Sequence, residues 1–169
     1  AQYIANCDVC RRVKAEHQRP AGTLQPLAIP EWKWDKIGMD FITGFPRTKR
    51  GNNAIFVVVD RLSKVAHFLH VRENITASQL ADLYISRIVS LHGVPLEINS
   101  DRGSLFTSRF WESFQNAMGT RLSFSTAFHP QSSGQVERVN QILEDMLPAS
   151  VLSFGMSWEK CLPFTEFAY

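Results

Sequence analysis

The sequence lacks a strong excess of charge of either sign, because 18 lysines and arginines against 16 aspartates and glutamates leave a formal net charge of +2. Net charge alone therefore does not indicate a nucleic-acid partner. Three cysteines in 169 residues are too few for the disulfide framework of a small secreted domain. No apolar run approaches the ~20 residues that cross a bilayer, and no signal peptide is visible, so we expect no membrane span and no secretion.

What the sequence does have is a large apolar fraction. With 44% hydrophobic residues, including 12 phenylalanines and four tryptophans, it is typical of a packed globular protein. The start differs, because it contains Cys7 and Cys10, a basic run and the proline-rich stretch "PAGTLQPLAIP". We therefore expect a boundary near residue 30, with an appendage and linker at 1–30 and one domain at 31–169. From the alanine at the start and the apolar pattern at the end, we expect both ends to belong to a longer protein.

Basic residues concentrate in two segments, "CRRVKAEHQR" at 10–19 and "PRTKRG" at 46–51. Clusters of this kind are usually solvated surface, and they can also contact phosphate groups. Both interpretations stay open on the sequence alone.

From residue 32 onward the pattern alternates between strand and helix. Five stretches are rich in β-branched and apolar residues: DKIGMDFITGF (35–45), AIFVVVD (54–60), VAHFLHV (65–71), LEINSDRG (96–103) and RLSFSTAF (121–128). The first three follow one another closely and predict a meander, whereas the last two alternate with helices. We therefore predict an α/β fold with strands of mixed direction and helices on both sides of the sheet.

Three helices are predicted between and after these strands. The first begins with a capping box of Thr76 and Gln79, and Gly93 ends it. The predicted apolar faces are Leu80, Leu83, Tyr84, Ile88 and Leu91 in the first helix, Phe110, Phe114, Ala117 and Met118 in the second, and Val136, Val139, Leu143 and Met146 in the third. Pro148 is expected to end the third helix at about Leu147.

Three acidic residues stand out by their predicted positions. Asp40 lies in the middle of an apolar strand, where an ionised carboxylate is costly unless something compensates it. Asp101 lies at the C-terminal end of a strand, where α/β folds tend to build ligand sites. Glu137 lies in the first turns of a helix, behind a loop with glycine and serines, and thirty-five residues separate it from Asp101.

Three carboxylates at one spot would repel one another, and a divalent cation removes that conflict. Oxygen ligands suit Mg²⁺ or Mn²⁺, and two such ions about 3.5–4 Å apart can activate the attacking oxygen and stabilise the leaving oxygen in phosphoryl transfer. Some Asp–Asp–Glu triple is easy to find among sixteen acidic residues, so other acids remain rivals. For Asp60, Asp82, Glu97, Glu112, Glu144 and Asp145 we expect turn formation, surface solvation or helix pairing.

Four segments in this order resemble the integrase of Gypsy-type (Metaviridae) long-terminal-repeat retrotransposons, a relative of the retroviral integrases: "WKWDKIGMDFITGFP", "VVVDRLSKVAHF", "SDRGSLFTSRFW" and "STAFHPQSSGQVERVNQILEDML". The resemblance covers essentially the whole chain. It implies a ribonuclease-H-like catalytic core with a mixed five-stranded sheet flanked by helices, truncated at the C-terminal end. It also implies that Asp40, Asp101 and Glu137 are the catalytic residues, a DDE triad that binds two Mg²⁺ or Mn²⁺ ions.

The same resemblance implies the reaction and the partners. Water would trim the 3′ ends of the element's DNA, and the exposed 3′ hydroxyl would then attack target DNA. Residues 129–134 would form a mobile catalytic loop, and double-stranded DNA and further copies of the chain would be the partners. The plausible DNA contacts, each of which could equally be a solvated polar residue, are His129, Gln131, Gln135, Asn140 and Gln141. The expected place of action is the nucleus, reached through cytoplasmic particles.

In the resembled family, Cys7 and Cys10 would be the second half of a His-His-Cys-Cys zinc module. No histidine precedes them, and His17 gives at best a third ligand where a structural zinc site needs four. We therefore expect no stable zinc at this half site and regard 1–30 as a remnant of the module plus a linker. For Cys161 we expect burial among apolar residues.

Three departures from the family pattern leave a second interpretation open. The zinc module is incomplete, the last core helices are missing, and Pro148 stands in the third helix. The chain could therefore be a catalytically inactive fragment that retains only nucleic-acid or protein binding. A ribonuclease-H-like nuclease that cuts RNA in hybrids, and a redox or zinc-ribbon protein built on Cys7 and Cys10, are further alternatives.

Overall fold

The computed structural model describes Cys7, residues 29–124 and residues 134–169. Its strands are β1 (Lys36–Ile42), β2 (Ala54–Asp60), β3 (Ala66–Val71), β4 (Glu97–Ser100) and β5 (Arg121–Phe124). Its helices are α1 (Ala77–Tyr84), α2 (Ser90–His92), α3 (Arg109–Ala117), α4 (Gly134–Phe154) and α5 (Trp158–Ala168), with a π-helical turn at Ile85–Val89 between α1 and α2. In the described part of the chain, no helix combines the length and the apolar composition that a bilayer span requires.

The five strands form one mixed sheet in the order β3-β2-β1-β4-β5. β1 to β3 are antiparallel neighbours, while β4 pairs parallel to β1 and β5 parallel to β4. Every residue of β2 is buried, as its unbroken apolar sequence predicts for a strand that is covered on both faces. The predicted mixed five-stranded α/β sheet is therefore confirmed.

Helices cover both faces of this sheet. On one face, Phe56, Tyr84 and Trp111 belong to a core that α1 and α3 close. On the other face, Val57 and Leu143 belong to a core that α4 and α5 close. Complete burial of a side chain such as Leu143 contributes about 1.5–3 kcal/mol, so each amphipathic helix is held mainly by its apolar face.

The strand register determines which residues lie together at one end of the sheet. Met39 of β1 lies level with Ser100 of β4 in the parallel pair. The next residues along the two strands, Asp40 and Asp101, therefore lie side by side near the same end of the sheet. The turn between β1 and β2 also leaves from this end, whereas the turn between β2 and β3 lies at the opposite end.

The predicted apolar face of the first helix is correct only up to the π-helical turn. Leu80, Tyr84 and Ile88 are at most 1% exposed, but Leu91 is 66% exposed. A π turn inserts one extra residue into the helical repeat, so the residues after it are rotated away from the original face. The prediction for Leu91 was therefore wrong.

The buried face of α3 is shifted by one residue from the apolar face that the sequence predicted. Trp111 and Gln115, four residues apart, are fully buried, whereas Phe110 is 48% exposed and Ala117 is also exposed. Phe110 instead stacks on the half-buried Phe114, with 6.4 Å between ring centroids. The large Trp111 ring fills the core position because it packs edge-on against Tyr84 and Phe106 at 5.7 and 6.0 Å.

The expected end of α4 at Leu147 was also wrong, because the helix continues through Pro148 to Phe154. Pro148 is exposed and removes one backbone hydrogen bond. Beyond it, Val151 packs against the core that α4 and α5 close. This packing of the last turns outweighs the local preference of proline to end a helix.

A cluster of polar side chains joins α5 and α2 to strand β3. His67 Nδ1 lies 3.0 Å from Glu166 Oε1, and the Phe68 N–H donates to Glu166 Oε2 at 2.9 Å. His67 Nε2 lies 2.8 Å from His92 Nε2, and Trp34 stacks on His92 with 3.6 Å between ring centroids. Two imidazole nitrogens can share one hydrogen bond only if one of them carries no proton. The cluster therefore requires at least one neutral histidine.

We expect the free energy of unfolding to fall on acidification through this cluster. Burial and the positive charge of His67 lower the pKa of His92 below 6.5, against the opposing charge of Asp60. Neutral His92 therefore stabilises the fold above pH 6.5, and this contribution is lost as the pH falls below that value. Burial alone would raise the pKa of Glu166, but hydrogen bonds from His67 and the Phe68 amide lower it below 4.5, so its contribution disappears at lower pH.

Urea unfolding followed by circular dichroism at about pH 7.5 and about pH 5.5 measures this dependence. His92→Gln should flatten the fall in stability between these two values. His70→Gln, which replaces an exposed histidine of β3 outside this cluster, is the matched control. An undiminished fall in His92→Gln would show that this histidine does not titrate as described.

Candidate functional site

Three separate chain segments bring carboxylates to one small cavity at the C-terminal ends of β1 and β4. Asp40 lies within β1, Asp101 directly follows β4, and Glu137 lies in the first turn of α4. The cavity has a volume of about 80 Å³ and is lined by Met39, Asp40, Asn99, Ser100, Asp101, Val136 and Glu137. Since a water molecule occupies about 30 Å³ in the liquid, the cavity has room for a small cation with a water molecule.

Asp40 is the most enclosed of the three acids. Its Oδ1 accepts a hydrogen bond from the Phe41 N–H at 2.8 Å, and its Oδ2 accepts one from Asn140 Nδ2 at 2.8 Å. Burial raises the pKa of Asp40, and the negative charges of Asp101 and Glu137 raise it further. The two hydrogen bonds lower this pKa, but they offset only part of the rise. The structure therefore places Asp101 and Glu137 close enough to Asp40 for their negative charges to disfavour its ionised form.

Asp101 and Glu137 are more open to solvent than Asp40. The Asp101 side chain is exposed, and its Oδ1 accepts a hydrogen bond from the Gly103 N–H at 3.0 Å. Glu137 is exposed at the start of α4. Within residues 29–124 and 134–169, no three His, Cys, Asp or Glu side chains are grouped so that they could hold one ion. The assignment of the three acids as metal ligands therefore stays a prediction.

The donor set at the cavity nevertheless fits a hard divalent cation. Its charged ligands are carboxylate oxygens, the ligand class that Mg²⁺ and Mn²⁺ prefer. Burial, and after it the negative charges of Asp101 and Glu137, raise the pKa of Asp40, and a bound cation would oppose this rise by favouring the ionised carboxylate. An exposed side chain such as Asp101 can change rotamer at low cost, so it could exchange its bond to Gly103 for a cation.

The position of Glu137 depends on a contact that sequence reasoning missed. A Cβ atom built on Gly38 would lie 2.3 Å from Val136 Cγ2, far inside van der Waals contact. The first turn of α4 therefore packs directly on the backbone of β1, and this fixes the residue next to Val136, which is Glu137. The available signal was a glycine inside an apolar strand, which often marks the close approach of another segment.

The predicted DNA contacts have different environments. Asn140 is half-buried and donates to Asp40, while its Oδ1 is buried without a hydrogen-bond partner among the described residues. Gln135 is half-buried, and its Oε1 likewise has no partner in that part of the chain. Gln141 is exposed, and His129 and Gln131 lie outside the described residues. The DNA-contact assignment stays a prediction for all five.

None of the rival acids lines the cavity. Asp60 is buried and accepts hydrogen bonds from the Trp34 N–H and from the N–H and hydroxyl of Ser63. Burial alone would raise the pKa of Asp60, but these hydrogen bonds lower it. The expected role of Asp60 in turn formation is therefore confirmed. Glu97 pairs with Lys36 at 3.6 Å and with Arg121.

The cysteines give no site in the described residues. Cys7 is half-buried, while Cys10 and His17 lie outside those residues, so the predicted half site stays untested. Cys161 is fully buried among apolar side chains, as predicted, and this burial raises the pKa of its thiol.

Comparison with known proteins gives matches to one protein family and to transposon polyproteins. The model of the family described as "Integrase core domain" matches residues 31–130. The polyproteins of the transposons Tf2-3 and Tf2-4 of Schizosaccharomyces pombe are each 36% identical to this chain over 168 residues, which is 99% of the chain. The chain spans only 12% of the length of these relatives.

Solved structures of viral integrases share the fold. A simian T-cell lymphotropic virus intasome, in complex with the PP2A regulatory subunit B56 gamma, matches with a TM-score of 0.69 and 22% identity over 99% of this chain and 58% of that one. The HTLV-2 integrase catalytic core, in complex with magnesium, matches with a TM-score of 0.64 and 19% identity over 82% of this chain and 87% of that one. The BIV integrase catalytic core matches with a TM-score of 0.63 and 25% identity over 80% and 82%.

Proposed function

Because this chain belongs to the integrase core domain family and resembles Gypsy-type retrotransposon integrases throughout its length, we propose that it is the catalytic core of an integrase that joins DNA ends to target DNA. The observation that carries the proposal is the meeting of Asp40, Asp101 and Glu137 at one cavity. Their segments are far apart in sequence, yet all three residues line the same small cavity, and the negative charges of Asp101 and Glu137 disfavour the ionised form of Asp40, a conflict that a divalent cation would relieve.

In this proposal, Asp40, Asp101 and Glu137 would hold two Mg²⁺ or Mn²⁺ ions, and we expect no zinc. When bound, such ions supply positive charge that polarises a phosphate oxygen and favours deprotonation of an attacking hydroxyl or water. Asp40 and Asp101 contribute oxygens from two adjacent parallel strands, and Glu137 contributes them from a helix that packs on β1. Asn140 orients Asp40 by holding its Oδ2.

The proposed reaction consists of two phosphoryl transfers at the same site. In the first, a water oxygen forms a bond to phosphorus near the 3′ end, and the P–O bond to the departing 3′ oxygen breaks. In the second, the new 3′ hydroxyl oxygen forms a bond to a target phosphorus, and a P–O bond of the target strand breaks. Both steps need alignment of the attacking and leaving oxygens, so a site built from a rigid sheet end and a packed helix suits them.

A joining assay tests the proposal. The protein is incubated with duplexes that carry the terminal sequence of its element, supercoiled target DNA and Mg²⁺ or Mn²⁺, and strand joining is measured on gels. We expect joined products that depend on the divalent ion and disappear with a chelator. Tight binding of the same duplexes without any metal-dependent cleavage or joining would favour the alternative, a catalytically inactive nucleic-acid-binding fragment.

Replacing Asn140 tests whether this residue orients the Asp40 carboxylate or instead contacts DNA. Asn140→Ala removes the donor on Asp40 Oδ2, so we expect metal-dependent joining to fall by about 10–100-fold, with a higher Mn²⁺ concentration needed for half-maximal rate. The matched control is Gln141→Ala, an exposed amide one position further along the same helix, which should leave the metal requirement unchanged. A lower DNA affinity in Asn140→Ala at an unchanged metal requirement would contradict the orienting role.

The partners and the place of action form part of the same proposal. Structures of the HTLV-2 core are named as dimeric and trimeric forms, and the simian virus structure is named as an intasome. By analogy we propose that this chain acts as a homo-oligomer on double-stranded DNA. The proposed place of action is the nucleus, where target DNA is found, reached through cytoplasmic particles.

A further inference from the structure

We propose that the tip of the loop between β1 and β2 is a separate DNA-binding element, in which Arg47 and Lys49 contact backbone phosphates beside the carboxylate cavity. The inference rests on the proposed function, because it assumes a double-stranded DNA ligand. It extends that function to a surface outside the site residues named above. The basic tip is defined here as residues 47–50.

The fold places the basic tip at the same end of the sheet as the acids. β1 ends at Ile42, and the hairpin continues beyond the sheet, because the Phe45 N–H donates to the Asn53 carbonyl at 3.3 Å and the Thr48 N–H to the Asn52 carbonyl at 2.9 Å. The eight steps along the chain from Asp40 to Thr48 can span at most about 26–29 Å. Phosphates on one DNA strand rise about 3.4 Å per base pair, so the tip reaches backbone within about eight base pairs of a phosphate at the cavity.

The hairpin is fixed at its tip and at its base. The Gly51 N–H donates to the Thr48 carbonyl at 2.9 Å, and the Asn52 N–H donates to the Thr48 hydroxyl at 3.1 Å. Gly51 has a φ of +86°, a left-handed conformation that glycine adopts without strain. At the base, Trp158 Nε1 of α5 donates to the Pro46 carbonyl at 2.8 Å. A preformed turn loses little conformational entropy when a ligand binds, so the tip is suited to hold cations in place for DNA.

The cations of the tip fall into two groups. Arg50 Nη1 lies 3.5 Å from Glu159 Oε1, and Arg72 donates to the Arg50 carbonyl, so Arg50 has a structural role on the protein itself. Arg47 and Lys49 are exposed, and neither has an ion-pair partner within residues 29–124 and 134–169. Arg47 offers a planar fork and Lys49 a point charge, and both groups bind phosphate. Two cations are therefore available to DNA.

The charge balance around the tip also favours an anionic ligand. Glu159 is paired with Arg50, and Glu73 accepts a hydrogen bond from Asn53 Nδ2 at 3.1 Å, so the nearby acids are engaged with neighbouring side chains. The acids of the cavity would be neutralised by the proposed metal ions. The duplex would then lie with one phosphate at the cavity and neighbouring backbone along Arg47 and Lys49.

The test measures the salt dependence of DNA binding with Ca²⁺ at one fixed concentration in place of Mg²⁺ or Mn²⁺. A hard cation can then neutralise the cavity acids, while the strict octahedral geometry that Mg²⁺ brings to catalysis is absent. Fluorescence anisotropy with a labelled duplex of about 20 base pairs gives the affinity over a series of salt concentrations. The double variant Arg47→Gln/Lys49→Gln is compared with Lys33→Gln/Lys64→Gln, an equal loss of charge at exposed positions at the opposite end of the sheet. Circular dichroism confirms that both variants fold.

We expect the tip variant to bind about tenfold more weakly at about 0.1 M salt and its slope of log affinity against log salt to be shallower by about 2, because two phosphate contacts are lost. The loss should be equal for end-sequence and random duplexes, and the control variant should match the unaltered protein. An unchanged slope in the tip variant, or the same change in both variants, would overturn the proposal. Normal binding without joining would refute the proposed function alone, whereas no binding to any duplex would refute both.

Discussion

Glu137→Gln and Asp40→Asn should each abolish DNA joining while the protein stays folded. Each change keeps the size of the side chain and removes one negative charge from the cavity that both residues line. Electrostatic stabilisation by bound metal is worth several kcal/mol, and each 1.36 kcal/mol changes a rate tenfold, so we expect a loss of at least about 10³-fold. Asp40→Asn should not destabilise the fold, because burial and like charges already disfavour the ionised form of Asp40.

The matched control for Glu137→Gln is Glu144→Gln. Glu144 lies two turns further along α4, is exposed and does not line the cavity. The same chemical change there should leave the joining rate within about twofold of the unaltered protein, as for most surface substitutions. Joining at a near-normal rate in Glu137→Gln or Asp40→Asn would show that the acids are not the catalytic residues.

Gly38→Ala should reduce both stability and joining, because the added Cβ would overlap Val136 Cγ2 at 2.3 Å. Forcing one extra carbon into a packed contact typically costs about 1–3 kcal/mol, and here the strain can be relieved by moving the first turn of α4 away from β1. That movement would carry Glu137 away from Asp40 and Asp101. We therefore expect a lower unfolding free energy in urea and a fall in joining of about 100-fold, the cost of an ~1 Å displacement at a catalytic site.

Two further variants test whether the overlap with Val136 causes the losses expected in Gly38→Ala. Val136→Ala removes the methyl group that the new Cβ would meet, so the double variant Gly38→Ala/Val136→Ala should recover part of the joining activity that Gly38→Ala loses. Gly134→Ala, at the start of the same helix, adds a Cβ that meets no atom of the described residues within 4 Å, so it should unfold at the same or a higher urea concentration. Full stability in Gly38→Ala would contradict the packing of α4 on β1.

Much of the fold could be predicted because its signals are local. The unbroken apolar run of β2 and the capping box of Thr76 and Gln79 are properties of neighbouring residues, and the structure contains both. Asp40 and Asp101 could likewise be placed at a strand middle and a strand end from the apolar pattern around them. The Gypsy-type resemblance is confirmed by 36% identity across the chain and by the integrase cores that share its fold.

The errors and omissions have a common physical cause. The continuation of α4 past Pro148 and the exposure of Phe110 depend on packing between elements, which overrides local propensity. The hydrogen bond from Asn140 to Asp40 joins residues 100 positions apart, and no local pattern encodes such a pair. The sequence placed Asn140 and Gln141 among the plausible DNA contacts but could not tell which amide would meet the acid.

The central claim is that Asp40, Asp101 and Glu137 share bound divalent cations, and locating Mn²⁺ tests it most directly. Crystals of the protein grown with Mn²⁺ and duplex DNA, measured near the manganese absorption edge, would show each ion by its anomalous scattering. We predict anomalous peaks about 2.0–2.3 Å from carboxylate oxygens of Asp40 and Asp101, with Glu137 completing the site and Asp101 released from Gly103. A well-ordered complex with no manganese at these three residues would contradict the claim.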